Sequence, residues 1–147
     1  MNSKRIARHR AFFLVISCFL AAQLSAGKIV VKITGISESS GQIGCALFKS
    51  ADGFPMNNAV AQQLWQPANL GGVTCRFADV PDGSYAASVS HDLNGNRKVD
   101  TNFLGIPTEA WGVSNNTRPL MRAPRFDEAL FKMKEGKDRT IEIRVDK

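Results

Sequence analysis

The chain is poor in the residues on which chemistry is usually built. Its 147 residues include two histidines, three cysteines, two tryptophans and one tyrosine. His9 lies in a basic leader, so His91 is the only histidine in the body of the chain. No apolar run is long enough to span a bilayer. The main one, Ala11 to Ala22, covers 12 residues, against about 20 for a membrane-crossing helix. Internal repeats and low-complexity tracts are absent. Beyond the leader no lysine–arginine cluster is interleaved with aromatic residues, so nucleic acid is not expected as a partner.

What is present begins with the three parts of a secretory signal. Lys4, Arg5, Arg8 and Arg10 carry positive charge with no acid among them, the apolar run follows, and Leu24-Ser25-Ala26 supplies small residues at the exit. Cleavage after Ala26 is expected. Residues 1–26 are then the signal peptide, and residues 27–147 form one periplasmic or secreted domain. A rival lies in Val15-Ile16-Ser17-Cys18, which resembles a bacterial lipobox. Because Phe19 to Ala22 continue the apolar run, Cys18 reads better as one more apolar residue of the signal than as a lipoprotein anchor.

Removing the signal removes most of the apparent basicity. The chain has 19 basic and 13 acidic residues, a formal +6. Four of those bases sit in the signal, leaving fifteen against thirteen, or +2. Two cysteines also remain, Cys45 and Cys75. In an oxidising compartment two thiols in strand-like runs of the same phase suggest one disulfide.

Period-two alternation dominates the rest. Ile29, Val31 and Ile33 alternate with Val30 and Lys32, and Ile43, Cys45 and Leu47 repeat the pattern. Val73, Cys75 and Phe77 form a third set, and Tyr85, Ala87, Val89 and His91 a fourth. Ala129, Phe131 and Met133 precede a last set at Ile141, Ile143 and Val145. Turn residues punctuate these runs at Glu38–Gly41, at Pro81-Asp82-Gly83 and at Glu135–Asp138, the last predicted to join the final two strands as a hairpin. One segment breaks the pattern. In Asn57–Gln66, Val60 with Leu64 and Ala61 with Trp65 lie at i, i+4, with an asparagine to cap and Pro67 to stop, which predicts a short helix. The expected fold is all-β, an antiparallel β-sandwich of about seven strands with one short helix.

Residues 91–116 read HDLNGNRKVDTNFLGIPTEAWGVSNN. Oxygen-bearing side chains recur at Asp92, Asn94, Asn96 and Asp100, with Asn102 beyond. Such alternation is how a loop wraps a hard cation such as calcium. Those four would stand at ligand positions one, three, five and nine, and Lys98 would offer its backbone carbonyl at position seven. Two features depart from a calcium loop. Arg97 stands where the turn glycine is expected, with Gly95 one residue early, and Phe103 replaces the bidentate glutamate. Any calcium site is expected to be weak, about 10⁻⁴–10⁻³ M, with Glu109 available to complete the shell. The competing reading is a self-stabilised loop around Asn94-Gly95, a favoured turn.

His91, at the end of a strand, reads as a structural histidine. As a base or ligand it would need partners such as Asp92 or Glu109, and a nucleophile from Ser90, Ser114 or Thr108; none lies in a recognisable nucleophile setting. Trp111, among loop residues, is a candidate for stacking on a sugar, and Trp65 a weaker one. His91, Glu109 and Trp111 together mark a candidate pocket.

The stretches ADGFP at 51–55, the run from Pro81 to Asn116, and PRFDEALFKM at 124–133 resemble the domain of unknown function 2141 family of exported bacterial proteins. The resemblance implies a bacterial envelope or secreted location and a transthyretin-like or prealbumin-like sandwich. It carries no established activity, and Arg97 departs from the family's usual glycine. The preferred expectation is a non-enzymatic binding or structural module of the envelope, with a glycan or an envelope protein as partner and a weak calcium loop as an option. A carbohydrate-binding module using Trp111 and a hydrolase using His91 with Asp92 or Glu109 are the alternatives.

Overall fold

A computed structural model describes residues 26–134 and 136–147. The expected signal peptide, apart from Ala26, and with it Cys18, lies outside the described residues. Eight strands run in the order β1 Gly27–Thr34, β2 Gln42–Phe48, β3 Gln62–Pro67, β4 Val73–Val80, β5 Gly83–Asp92, β6 Trp111–Val113, β7 Phe131–Met133 and β8 Arg139–Arg144. They make two sheets. The smaller has the order β4-β1-β8, and the larger the order β3-β2-β5-β6, with β7 pairing the other end of β5. The fold is an all-β sandwich. Among the described residues no helix is long and apolar enough to cross a membrane.

The alternation read from the sequence is the alternation that buries. Ile29, Val31, Ile33, Cys75, Phe77 and Ile143 from the smaller sheet meet Ile43, Cys45, Leu47, Ala87, Val89 and Phe131 from the larger one. Period-two side chains put one whole set on one face, so two such faces close a core and leave the intervening residues outside. Cys45 and Cys75 are bonded across this core, with Cα atoms 6.6 Å apart and 30 residues of separation. The bridge ties β2 of one sheet to β4 of the other. The Tyr85 hydroxyl donates to the Pro81 carbonyl at 3.1 Å. That bond pins the turn where the chain leaves one sheet and enters the other.

Three local expectations are corrected. The helix expected over Asn57–Gln66 is a single 3-10 turn at Asn58–Val60, followed by β3. Asn57 does cap, its side chain accepting from the Ala59 N–H at 3.2 Å. Beyond that turn the chain pairs with β2, Trp65 opposite Gly44. A methyl group on Gly44 would lie 2.5 Å from the Trp65 ring, so the indole lies against bare backbone. Edge pairing plus this contact outweighs two i, i+4 pairs worth about 0.2–0.5 kcal/mol each. The hairpin expected between the last two strands does not form. β7 pairs β5, whereas β8 lies parallel to β1. That parallel pair also departs from the purely antiparallel arrangement expected. The eighth strand, β6, has three residues, too few to show a period.

Candidate functional site

The larger sheet has a second side that is also covered. Neighbouring residues of a strand point to opposite faces. In β5, Tyr85, Ala87 and Val89 enter the main core, so Ala86, Ser88, Ser90 and Asp92 face the other way. All four are buried. Ala86 joins Val113 and Ala129 in a small second cluster that takes in Phe54, Trp111 and Phe126. Phe54 stands edge-on to Phe48 and Phe126, at 5.2 and 5.9 Å between ring centroids. It fastens the 49–61 connection and the 117–130 segment over the sheet. Ser114 secures the same layer: its hydroxyl donates to the Ala129 carbonyl at 2.5 Å and accepts from the Ala87 N–H at 3.0 Å.

That cover is incomplete, and the gap is a cavity of about 670 Å³. Ser88 and Ser90 line it from β5, and Trp111 and Val113 from β6. One wall is the 104–107 stretch, the other the 118–124 segment. Four large apolar side chains of these walls are open to solvent: Leu104 is 67% exposed, Ile106 55%, Leu120 97% and Met121 95%. Phe103, on the same tip as Leu104, is 94% exposed. Exposed apolar residues gathered round one cavity mark an interaction site more than the same residues scattered singly do. The volume falls within the range of small-molecule sites, about 300–1,000 Å³.

Two polar atoms give the cavity its character. Among the described residues, Ser90 Oγ and Asn58 Oδ1 are buried side-chain atoms without a hydrogen-bond partner. Both residues line this cavity. Buried polar groups are nearly always paired, so each such exception asks for an explanation. Among the described residues, the charged side chains lining the cavity are Arg118, Arg122 and Lys147, with no carboxylate side chain. Arg122 is paired with Glu128 at 2.8 and 2.5 Å. The Arg118 guanidinium lies 4.2 Å from the Trp111 ring centroid and donates to the Trp111 and Asp146 carbonyls at 2.5 and 2.9 Å.

The polar loop that dominates the sequence lies beside this cavity and is closed on itself. The buried Asp92 carboxylate accepts from the N–H groups of Gly95 and Arg97, both at 2.7 Å. Asn94 Oδ1 accepts from the Asn96 N–H at 3.0 Å, and Asn96 Oδ1 from the Lys98 N–H at 2.8 Å. The amide nitrogens of Asn94 and Asn96 both donate to the Asp100 carboxylate, at 2.5 and 2.9 Å. Glu109 joins the two ends, accepting from the Leu93 N–H at 2.9 Å and the Asp100 N–H at 3.2 Å. Arg97 adopts φ +58°, the left-handed conformation that a glycine would take without cost. Its guanidinium lies 5.5 Å from the Trp65 ring centroid. Among the described residues no three His, Cys, Asp or Glu side chains group as metal ligands. Asn102 belongs to the next turn, where its side-chain oxygen accepts from the N–H groups of Leu104 and Ile106.

The three residues singled out as a pocket separate. Trp111 lines the cavity, whereas His91 and Glu109 do not. His91 is 1% exposed, and its Nε2 donates to the Ser40 carbonyl at 2.8 Å. It leaves β5 on the face opposite Ser90 and Asp92. Thr108 Oγ1 donates to the Asp100 carbonyl at 3.2 Å. The cavity itself was missed from sequence. Its best signal was the alternation of Ser88 and Ser90 with Ala87, Val89 and His91, a polar face on a strand that is buried on both sides.

The family model described as an uncharacterized protein conserved in bacteria, domain of unknown function 2141 (DUF2141), matches residues 31–142. No curated protein and no solved structure matches the chain. The matched span includes part or all of every strand, the 92–100 loop and nearly all of the cavity lining, and on this ground the chain belongs to the DUF2141 family of bacterial proteins.

Proposed function

We propose that this chain is an exported, non-enzymatic binding module of the bacterial cell envelope. Its ligand site is the cavity on the outer side of the larger sheet. The observation that carries the reading is the pair of unpartnered buried oxygens, Ser90 Oγ and Asn58 Oδ1, on residues lining one cavity. Export is supported by the signal-like leader and by the Cys45–Cys75 bond, since disulfides persist in oxidising compartments. A non-enzymatic role is supported by the commitments of the candidate catalytic groups: His91 is held on Ser40, and Asp92 and Glu109 hold the loop. A sugar platform needs an open ring face, and one face of Trp111 carries Arg118.

The test uses Nile red, a neutral dye whose emission rises and shifts to the blue in apolar surroundings. Wild type is expected to give a saturable signal. Ser90→Leu, which replaces the floor hydroxyl by a larger apolar side chain, should change its midpoint while keeping the sandwich circular dichroism spectrum. A flat titration of the wild type, or equal midpoints for both proteins, would end this reading.

Calcium at the 92–100 loop is a second element of the proposal. It is favoured by Arg97 taking the backbone conformation of the turn glycine, at ligand position six, while Asp92 at position one accepts from positions four and six. Binding would require the Asn94 and Asn96 amides to turn their oxygens towards Asp100. A few millimolar calcium should then raise the melting temperature, and Asp92→Ala should abolish the rise. No shift in the wild type would take the ion out of the account.

A further inference from the structure

We infer that the cavity takes a small amphipathic organic anion. Its apolar body lies between the 104–107 and 118–124 walls and its negative group meets Arg118. This rests on the cavity being a ligand site and adds the chemical class of the ligand.

The walls define the body of such a ligand. Leu104, Ile106, Leu120 and Met121 leave large side chains in water around the opening. Covering them removes apolar area from solvent, which drives association without specifying direction. Direction comes from the polar groups. Ser90 is 3% exposed and its hydroxyl lacks a partner among the described residues. A hydroxyl both donates and accepts, so it can meet a carboxylate or another oxygen. Asn58 adds an amide whose oxygen is likewise unpartnered, and an amide rotated by half a turn presents a donor in its place.

Charge selects the sign. Among the described residues, the side chains lining the cavity carry three cations and no carboxylate. Glu128 neutralises Arg122, and the charge argument rests on Arg118. Arg118 is also held in place: it stacks on Trp111 and two backbone carbonyls accept from it. Carbonyls do not cancel its charge, and a guanidinium offers five donors, so donors remain for a ligand. A fixed cation beside apolar walls is the arrangement a carboxylate with a hydrocarbon tail fits. A cationic or purely apolar ligand would leave that charge unanswered.

The experiment compares three probes with one ten-carbon body: decanoate, decanol and decylamine. Each displaces Nile red from the full mature protein below its micelle concentration. Decanoate should bind at least tenfold more tightly than decanol, and decylamine more weakly than either. Raising salt from about 50 to 500 mM should weaken decanoate alone, because screening acts on the charged contact. Arg118→Gln should bring decanoate to the level of decanol. Should that variant lose its fold, the three-probe comparison and the salt dependence in wild type still decide the matter. Equal affinities for decanoate and decanol, or preference for the amine, would overturn the ligand class while leaving the cavity as a binding site. Failure of the dye and of all three probes would overturn both.

Discussion

Asp92→Ala removes the carboxylate on which the polar loop is wound. That side chain is fully buried and accepts two backbone N–H groups at 2.7 Å each. Hydrogen bonds to a charged group contribute about 1.5–3 kcal/mol each. Gly95 and Arg97 are themselves exposed, so water recovers part of the loss. The low end for both bonds is about 3 kcal/mol, and with part of it recovered by water the expected cost is about 2–4 kcal/mol. For a domain of about 120 residues this lowers the melting temperature by roughly 8–15 °C. Urea unfolding followed by circular dichroism measures it directly. A double-mutant cycle with Glu109→Gln sharpens the claim. Glu109 accepts from Leu93 and Asp100, residues that bracket those held by Asp92. If the loop is one cooperative unit, the second substitution should cost about 0.5–2 kcal/mol less in the Asp92→Ala background than in wild type. A loss under about 0.5 kcal/mol, or strict additivity, would refute the view that these two carboxylates organise the loop.

Three further outcomes follow from other parts of the fold. Replacing both Cys45 and Cys75 by alanine reopens a loop of 30 residues and should cost about 3–4 kcal/mol by loop-closure entropy, read as a drop in urea midpoint; a loss below 1 kcal/mol would contradict it. Tyr85 is the only tyrosine, so phenolate absorbance follows it alone. Burial, and then the Asp82 charge, raise its titration above the ordinary 10.0, so its contribution to stability is present below pH 10 and is lost as pH rises through the higher folded value; a midpoint at or below 10.0 in the native state would be the contrary result. The Glu128 carboxyl is held down to about 2 from 4.5, by the Arg122 guanidinium and then by the Arg125 N–H. Its contribution is present above 4.5 and falls away as pH drops towards about 2, and Arg122→Gln should return its NMR titration towards 4.5.

Legibility in the sequence followed the period of the residues. Strands with several alternating positions were visible because burial imposes that alternation directly. The same local view could not distinguish a hairpin from a change of sheet. Glu135–Asp138 has suitable turn composition, yet Met133 belongs to the larger sheet and Arg139 to the smaller one. Nor could it weigh an edge of β2 waiting to be paired against the helical spacing of Val60 and Leu64. The 92–100 loop was visible as oxygens at alternate residues, and its closure through Asp92, Asp100 and Glu109 was not, because Glu109 reaches it from the far side of the 101–107 turn.

The cavity was harder to see than either, for a physical reason. A strand with one wet face shows polar residues there, and a strand buried on both faces shows apolar ones. β5 is buried on both sides and still carries Ser88, Ser90 and Asp92 on the outer one. Asp92 is answered by its own loop, as His91 on the inner side is answered by Ser40. Ser90 has no such answer within the described residues. A leucine or valine there would close the layer as Val113 and Ala129 close it nearby. Keeping a hydroxyl at a buried position without a protein partner costs stability, about 1–3 kcal/mol by the usual penalty for an unmet buried group. A group entering the cavity can supply the missing bond, which supports the proposal that the binding site lies on the outer face of β5, ahead of the conspicuous polar loop beside it.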